Sequence, residues 1–279
     1  MKFGLSIPNK GQYSDINLLI EIAQQAEEVG WQGFFLWDHV AGPARIPYVD
    51  PWISISAVAA LTSKIRLGIM VTPLPRRRPW KVAREIVALD ILSKGRIILG
   101  VGLGYFTSKE FKEFGEVSDH RIRGEMLDES LKIIAALQKG ERFSFDGKHY
   151  QITGTTFRPT PIQKPRIPVW VAGTWPNKPP FRRAARWEGV IPGAKGKGFS
   201  PLSPAEFIEM RDYTLRYRSL ETPFDFCLGG QTPGKNIEED KSIIKPYQDA
   251  GLTWWIESIP PTGMSIKQAM TRIRNGPPQ

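Results

Sequence analysis

The chain has 279 residues, 41% hydrophobic and 24% charged, with a single cysteine, a globular composition that excludes collagen-like, disulfide-scaffold and disordered classes. Lys and Arg number 38 against 28 Asp and Glu, a net charge of +10. The cations are scattered, and no helix-turn-helix, zinc-finger, RNP or KH signature accompanies them, so nucleic acid is not the expected partner.

In chain order, strand-like apolar runs alternate with segments of helical period. The strands are read at residues 3–7, 33–37, 66–71, 96–101, 167–172, 189–191, 224–228 and 253–257, and Cys227 falls within one of them. Their near-continuous hydrophobicity suits strands buried on both faces of a parallel sheet. The first helix carries Leu19, Ile22, Ala23 and Ala26 on one face, between an Asp15 cap and a Gly30 stop. Asp50-Pro51 opens the second helix and Pro79 the third. Ser203 to Glu206 and Ser265 to Gln268 have capping-box spacing, and Ile243, Tyr247 and Ala250 lead to Gly251 at the end of the seventh helix.

Eight strand-helix units close most economically as a (β/α)8 TIM barrel of the α/β class, so residues 1–279 are read as one domain. Three segments, 104–123, 143–166 and 192–203, exceed ordinary connection lengths. Within the second, 143–152 reads as a hairpin about Asp146-Gly147, and the Gly/Lys run at 192–198 reads as a lid or a plain linker. The chain has no apolar leader and no run of 18 apolar residues; a soluble, cytoplasmic protein that does not enter the membrane is expected.

In such a barrel the loops after the carboxyl ends of the strands form the active face. That rule selects Trp37, Asp38 and His39 after the second strand, Thr72 after the third, Gly102, Gly104 and Tyr105 after the fourth, Gly173 and Thr174 after the fifth, and Glu257 at the eighth. Beside Asp38, His39 can be held in one tautomer and move a proton; the plainer alternative is an Asp that caps a loop and a His packed on Trp37. Gly100, Gly102 and Gly104 alternate, so a flat ring or a phosphate can approach the backbone, although the helix of a dinucleotide fingerprint is missing.

Gly173-Thr174 precede a short helix with Lys178, Arg182 and Arg183, a candidate anion site unless these cations are simply solvated. The run Arg76-Arg77-Arg78 is either a solvated turn or an attraction for an anionic cofactor or substrate. His120 and His149 read as surface residues. No metal-ligand spacing, Gly-x-Ser-x-Gly elbow or Walker loop is present.

A run of motifs covers nearly the whole chain in order: Asp50-Pro51-Trp52, Lys64-Ile65-Arg66-Leu67-Gly68, Val71-Thr72-Pro73, Arg78-Pro79, Ala83-Arg84-Glu85, Leu89-Asp90, Gly95-Arg96, Leu99-Gly100-Val101-Gly102, Gly147-Lys148-His149-Tyr150, and then Val169 to Gly173. It resembles the luciferase-like monooxygenase family. The resemblance implies a flavin- or deazaflavin-dependent oxidoreductase with the ring over the barrel mouth. It also implies an often cis peptide among Met70, Val71 and Thr72, and phosphate held near Gly104 to Thr107 and Gly173 to Trp175.

Relatives with Asp-His after strand two tend to use coenzyme F-420, with the His near the reactive carbon. The resemblance thus implies hydride transfer between F-420 and an organic small-molecule substrate, with His39 oriented by Asp38, and with Asp38, Met70, Val71, Thr72, Gly102, Gly104, Tyr105, Thr107, Gly173, Thr174 and Trp175 around the cofactor. Trp37, Tyr105 and Trp175 would line the pocket. The alternative is an FMN monooxygenase that takes reduced flavin from a partner reductase and consumes oxygen; a second is a flavin-binding protein without catalysis. A homodimer is implied. Tyr105 stands where sugar-phosphate-oxidising members place a glutamate, which argues against that activity.

Overall fold

Helix caps set most of the boundaries. Asp15 accepts from the Asn17 N–H ahead of α1 (Ile16–Glu28), and Asp50 accepts from the Trp52 and Ile53 N–H groups ahead of α2 (Pro51–Leu61), whose first residue is the expected proline. Both predicted capping boxes form, Ser203 with Glu206 and Ser265 with Gln268.

The computed structural model describes residues 1–104, 109–196 and 200–278. Its elements begin with β1 (Lys2–Ile7), α1, β2 (Gly33–Leu36), α2, β3 (Arg66–Pro73), α3 (Pro79–Leu92), β4 (Ile97–Gly102), α4 (Lys109–Lys112) and α5 (His120–Leu137). They continue with β5 (Arg142–Asp146), β6 (Gln151–Thr156), β7 (Val169–Trp175), α6 (Lys178–Ala184), β8 (Gly189–Ala194), α7 (Pro204–Arg216), β9 (Asp225–Gly230), α8 (Ile237–Asp249), β10 (Trp254–Ser258) and α9 (Ile266–Arg274). Eight parallel strands close in the order β1-β10-β9-β8-β7-β4-β3-β2, and β5 and β6 pair antiparallel outside the barrel. The expected (β/α)8 barrel is therefore the fold.

Alternation along the strands divides two cores. Outward residues such as Leu5, Phe34, Leu67, Leu99, Val171 and Trp255 pack under the helices, while Phe35, Ile98, Trp170, Cys227, Trp254 and Ile256 fill the barrel interior. Trp170 and Trp254 meet at 5.3 Å between ring centroids and Phe35 and Trp170 at 5.5 Å. Gly68 makes room for them: a Cβ there would lie 2.3 Å from the Ile98 carbonyl oxygen. The aromatic plug closes the interior, so any site must sit above it.

Several expected boundaries change. β7 and β8 run three residues further than the apolar pattern suggests, through the pairs Gly173↔Pro192, Thr174↔Gly193 and Trp175↔Ala194. Gly173, Pro192, Gly193 and Ala194, of weak strand propensity, are held there by the pairing of the two strands. The start of the supposed lid at 192–194 is thus strand; residues 197–199 lie outside the described residues. The hairpin pairs 142–146 with 151–156, and its turn is wider than an Asp-Gly turn because Glu129 of α5 accepts from the N–H groups of Lys148, His149 and Tyr150 at 2.8, 3.0 and 3.1 Å.

His149 is not a free surface residue: its Nε2 lies 2.9 Å from Glu125. On α8 the buried face carries Ile244 rather than Ile243, which is exposed. No helix among the described residues is long and apolar enough to cross a membrane.

Trp170→Ala should empty the middle of the plug and cost about 3–5 kcal/mol. Urea denaturation monitored by circular dichroism checks it, and an unchanged midpoint would show that the interior does not depend on this ring.

Candidate functional site

β2, β3, β4 and β7 are successive neighbours in the closed sheet and all parallel, so the segments after them, carrying Asp38, Gly104 and Gly173, share one mouth. Above the plug the inward positions become small. Gly102, Ala172, Gly229 and Ser258 form this upper layer with the larger Met70 and Ile191, and all but Gly102 are half-buried rather than buried. A Cβ on Gly102 would stand 3.0 Å from Val71 Cγ2 and 3.5 Å from the Ala172 Cβ, narrowing the floor. The layer is a shallow, largely apolar seat.

The Met70–Val71 peptide is cis, where the register of β3 against β4 shifts between Ile69 and Thr72. Met70 and Val71 are half-buried at the mouth. Thr72 is fully buried, and its Oγ1 has no hydrogen-bond partner among the described residues. Gly104 has φ +83°, and a side chain there would also strike Phe111 at 2.5 Å, so glycine is required on both counts. Tyr105 and Thr107 lie outside the described residues.

The charged groups depart from the sequence reading. Asp38 is turned from the His39 ring toward two arginines: its side chain is fully buried and accepts from Arg76 Nη2 at 2.7 Å and Arg77 Nη2 at 3.0 Å. Glu110 of α4 faces His39 instead, with Oε1 3.3 Å from Nδ1. The same carboxylate accepts from the Val40 N–H at 2.7 Å and from Arg76 Nη1 at 3.0 Å. Asn9 fixes the His39 backbone from below, donating to its carbonyl at 2.7 Å and accepting from its N–H at 3.2 Å. Arg76 and Arg77 are therefore neither a solvated turn nor free for an anion.

Glu110 was not visible as a site residue because it lies 71 positions from His39, in a Lys-Glu-Phe-Lys stretch that reads as an exposed helical turn.

The strand β7 end is also different. A side chain at Gly173 would meet Pro180 at 2.5 Å, so the approach of α6 is sufficient reason for that glycine. Thr174 is exposed at the rim. Trp175 turns outward, packing on Phe181 at 5.2 Å and Tyr213 at 5.8 Å, and does not line the mouth. Of the predicted anion site's cations, Arg183 is taken up by Asp128 at 2.8 Å, Lys178 lies over the rings of Trp175 and Tyr213 at 3.5 and 4.4 Å, and Arg182 is exposed beside Tyr217.

Glu257 points away from the mouth into the outer layer, where Thr232, Trp255 and Arg272 donate to it. Burial raises its carboxyl above the usual range, while Arg272 and the other donors pull the other way. Among the described residues no group of three His, Cys, Asp or Glu is placed to hold a metal ion. A groove of about 520 Å³ opens at the opposite end of the barrel, between the start of β1 and α8. Its lysines, Lys241 and Lys245, pair with Glu238 and Asp249, and no histidine faces it.

The family model of luciferase-like monooxygenases matches residues 1–186. The oxygenase component of a flavin-dependent trigonelline monooxygenase from Acinetobacter baylyi is 32% identical over 163 residues, 58% of this chain and 44% of that protein. The match thus spans less than half the length of this relative. By shape, an F-420-dependent secondary alcohol dehydrogenase superposes with TM-score 0.80 at 14% identity, covering 99% of this chain and 98% of the other. The FMN-bound oxygenating constituent of 3,6-diketocamphane monooxygenase from Pseudomonas putida superposes with TM-score 0.67 at 21% identity, covering 83% and 67%. At these identities the two superpositions speak to the barrel alone.

The buried Glu257 gives a signed pH effect. Because its folded-state carboxyl titrates above the unfolded value, its contribution is fully present below about pH 4.5 and is lost as pH rises through the folded value. Glu257→Gln, which cannot ionise, should gain on the wild type as pH rises from 4 toward 8 in denaturant melts. A difference that is flat or opposite in sign across that range would contradict the assignment. Asp38→Ala should cost about 3 kcal/mol by stripping the half-buried Arg77 of its carboxylate and leaving Arg76 with Glu110 alone, as urea denaturation would measure.

Proposed function

Because the chain belongs to the luciferase-like monooxygenase family, we propose that it transfers hydride between coenzyme F-420 and a small organic substrate in the cytoplasm. The observation that carries this reading is the mouth: a seat of small inward residues bordered by a histidine whose Nδ1 is engaged by a buried carboxylate.

The seat fits a flat ring. Gly102 and Ala172 leave open the space that longer side chains would fill, and Met70 and Val71 lie half-buried beside it. Met70, Val71, Thr72, Gly102 and Gly104 would hold the ring, with Thr174 toward the phosphate. Asp38 acts from behind this shell, through Arg76. When bound, F-420 supplies a ring carbon that gives or accepts hydride.

His39 handles the accompanying proton. Donation from Nδ1 to Glu110 leaves Nε2 of the neutral imidazole as the acceptor, able to exchange a proton with the substrate oxygen while hydride moves at the adjoining carbon. Hydride and proton together interconvert a carbonyl and an alcohol. Trp37 meets the His39 ring edge-on at 5.9 Å and limits water beside it.

A second reading, an FMN monooxygenase fed by a partner reductase, is favoured by the 32% identity to a flavin-dependent oxygenase component.

Fluorescence titrations with F-420 and with FMN separate the two: micromolar F-420 binding is expected, and FMN binding without an F-420 response overturns the proposal. His39→Ala should leave F-420 affinity within about threefold and lower turnover about 10²- to 10⁴-fold. Turnover unaffected by the substitution would remove His39 from the proton step.

A further inference from the structure

The cations nearest His39 are not equivalent. Arg76 and Arg77 are consumed by Asp38 and Glu110. Lys10, just beyond β1, is half-buried and has no carboxylate at ion-pair distance among the described residues. Its ammonium lies 5.5 Å from the centroid of the Trp37 ring. An indole face attracts the charge but leaves the three N–H donors of an ammonium unspent.

The position of Trp37 turns this into a statement about the mouth. Trp37 continues the inward series Gly33 and Phe35 of β2, and its Nε1 donates to Ser6 Oγ, on an inward position of β1, at 2.9 Å. Its ring also contacts His39. The Lys10 charge and the His39 ring therefore both lie against Trp37. In the closed strand order β1 lies across the barrel from β7.

Lys10 is held for such a task. Its backbone bridges to Tyr48, which ties it to the segment after β2. The polar groups beside it are already used: Gly11 N–H donates to the Pro47 carbonyl at 2.9 Å, and the Asn9 amide donates to the carbonyls of His39 and Val49 at 2.7 and 2.8 Å. One ammonium without a surrounding set of N–H donors suits a singly charged anion better than a phosphate, which draws on several donors at once.

We propose that Lys10 anchors the substrate and that the substrate is a small monocarboxylate. Its carboxylate binds the Lys10 ammonium, which places the reacting carbon between His39 and the seat of the ring. This assignment rests on the oxidoreductase reading above and adds the substrate class. Lys10 then sets specificity by charge, and His39 handles the proton.

Isothermal titration of the full chain with benzoate and with its neutral analogue benzamide tests it. Benzoate should bind about tenfold or more tighter than benzamide. Lys10→Gln should weaken benzoate by about the same factor and leave benzamide within about twofold, and Lys10→Arg should restore the preference. Equal affinities in the wild type, no binding of either compound, or equal weakening of both by Lys10→Gln would overturn the proposal. The F-420 titration fails independently: a charge preference without F-420 binding keeps Lys10 and removes the cofactor, and F-420 binding without the preference does the reverse.

Discussion

Four charged side chains from three loops meet almost out of contact with water. Asp38 follows β2, Arg76 and Arg77 follow β3, and Glu110 lies beyond β4, with Asp38 fully buried, Arg76 and Glu110 each 5% exposed and Arg77 20% exposed. Removing such ions from water costs several kcal/mol apiece, and only close pairing offsets it. No one of these loops can take its position without the other two. Arg76 is the joint, since one guanidinium spans the Asp38 and Glu110 carboxylates. The His39 ring inherits its orientation from this assembly, because the carboxylate that faces Nδ1 is the one Arg76 holds.

The barrel wall supplies the complementary constraint. Phe35, Trp170 and Trp254 fill the middle so completely that the strands carrying them need glycine opposite, as at Gly68. Bulk fills one layer and is withheld at Gly102, Ala172, Gly229 and Ser258 in the next, so a plug and an open seat are consecutive levels of the same strands. Stability and ligand access are separated along the barrel axis rather than around it.

Local chemistry made much of this legible. Asp15, Asp50, Ser203 and Ser265 each cap the helix that their spacing announced, because a cap is decided within four residues. The eight strands and the gathering of Asp38, Gly104 and Gly173 at one mouth follow from alternation and parallel closure. Long-range partners were the hidden part. Nothing near Asp38 in the chain says that its acceptors go to Arg76 rather than to the adjacent histidine. Nothing near Arg183 names Asp128, and the Gly and Pro residues that extend β7 and β8 argue locally against a strand. In each case the deciding energy is a pairing with a segment distant in the chain.

The upper layer at Gly102 and Ala172 has a one-way character. At Gly102 the depth is set by main-chain atoms, which no rotamer change can move, and the aromatic rings lie beneath. At Gly102 substitution can only add carbon and make the bowl shallower. Divergence toward larger ligands must therefore work laterally and upward, by resculpting the surrounding loops, while the base keeps the stiffness of the sheet itself.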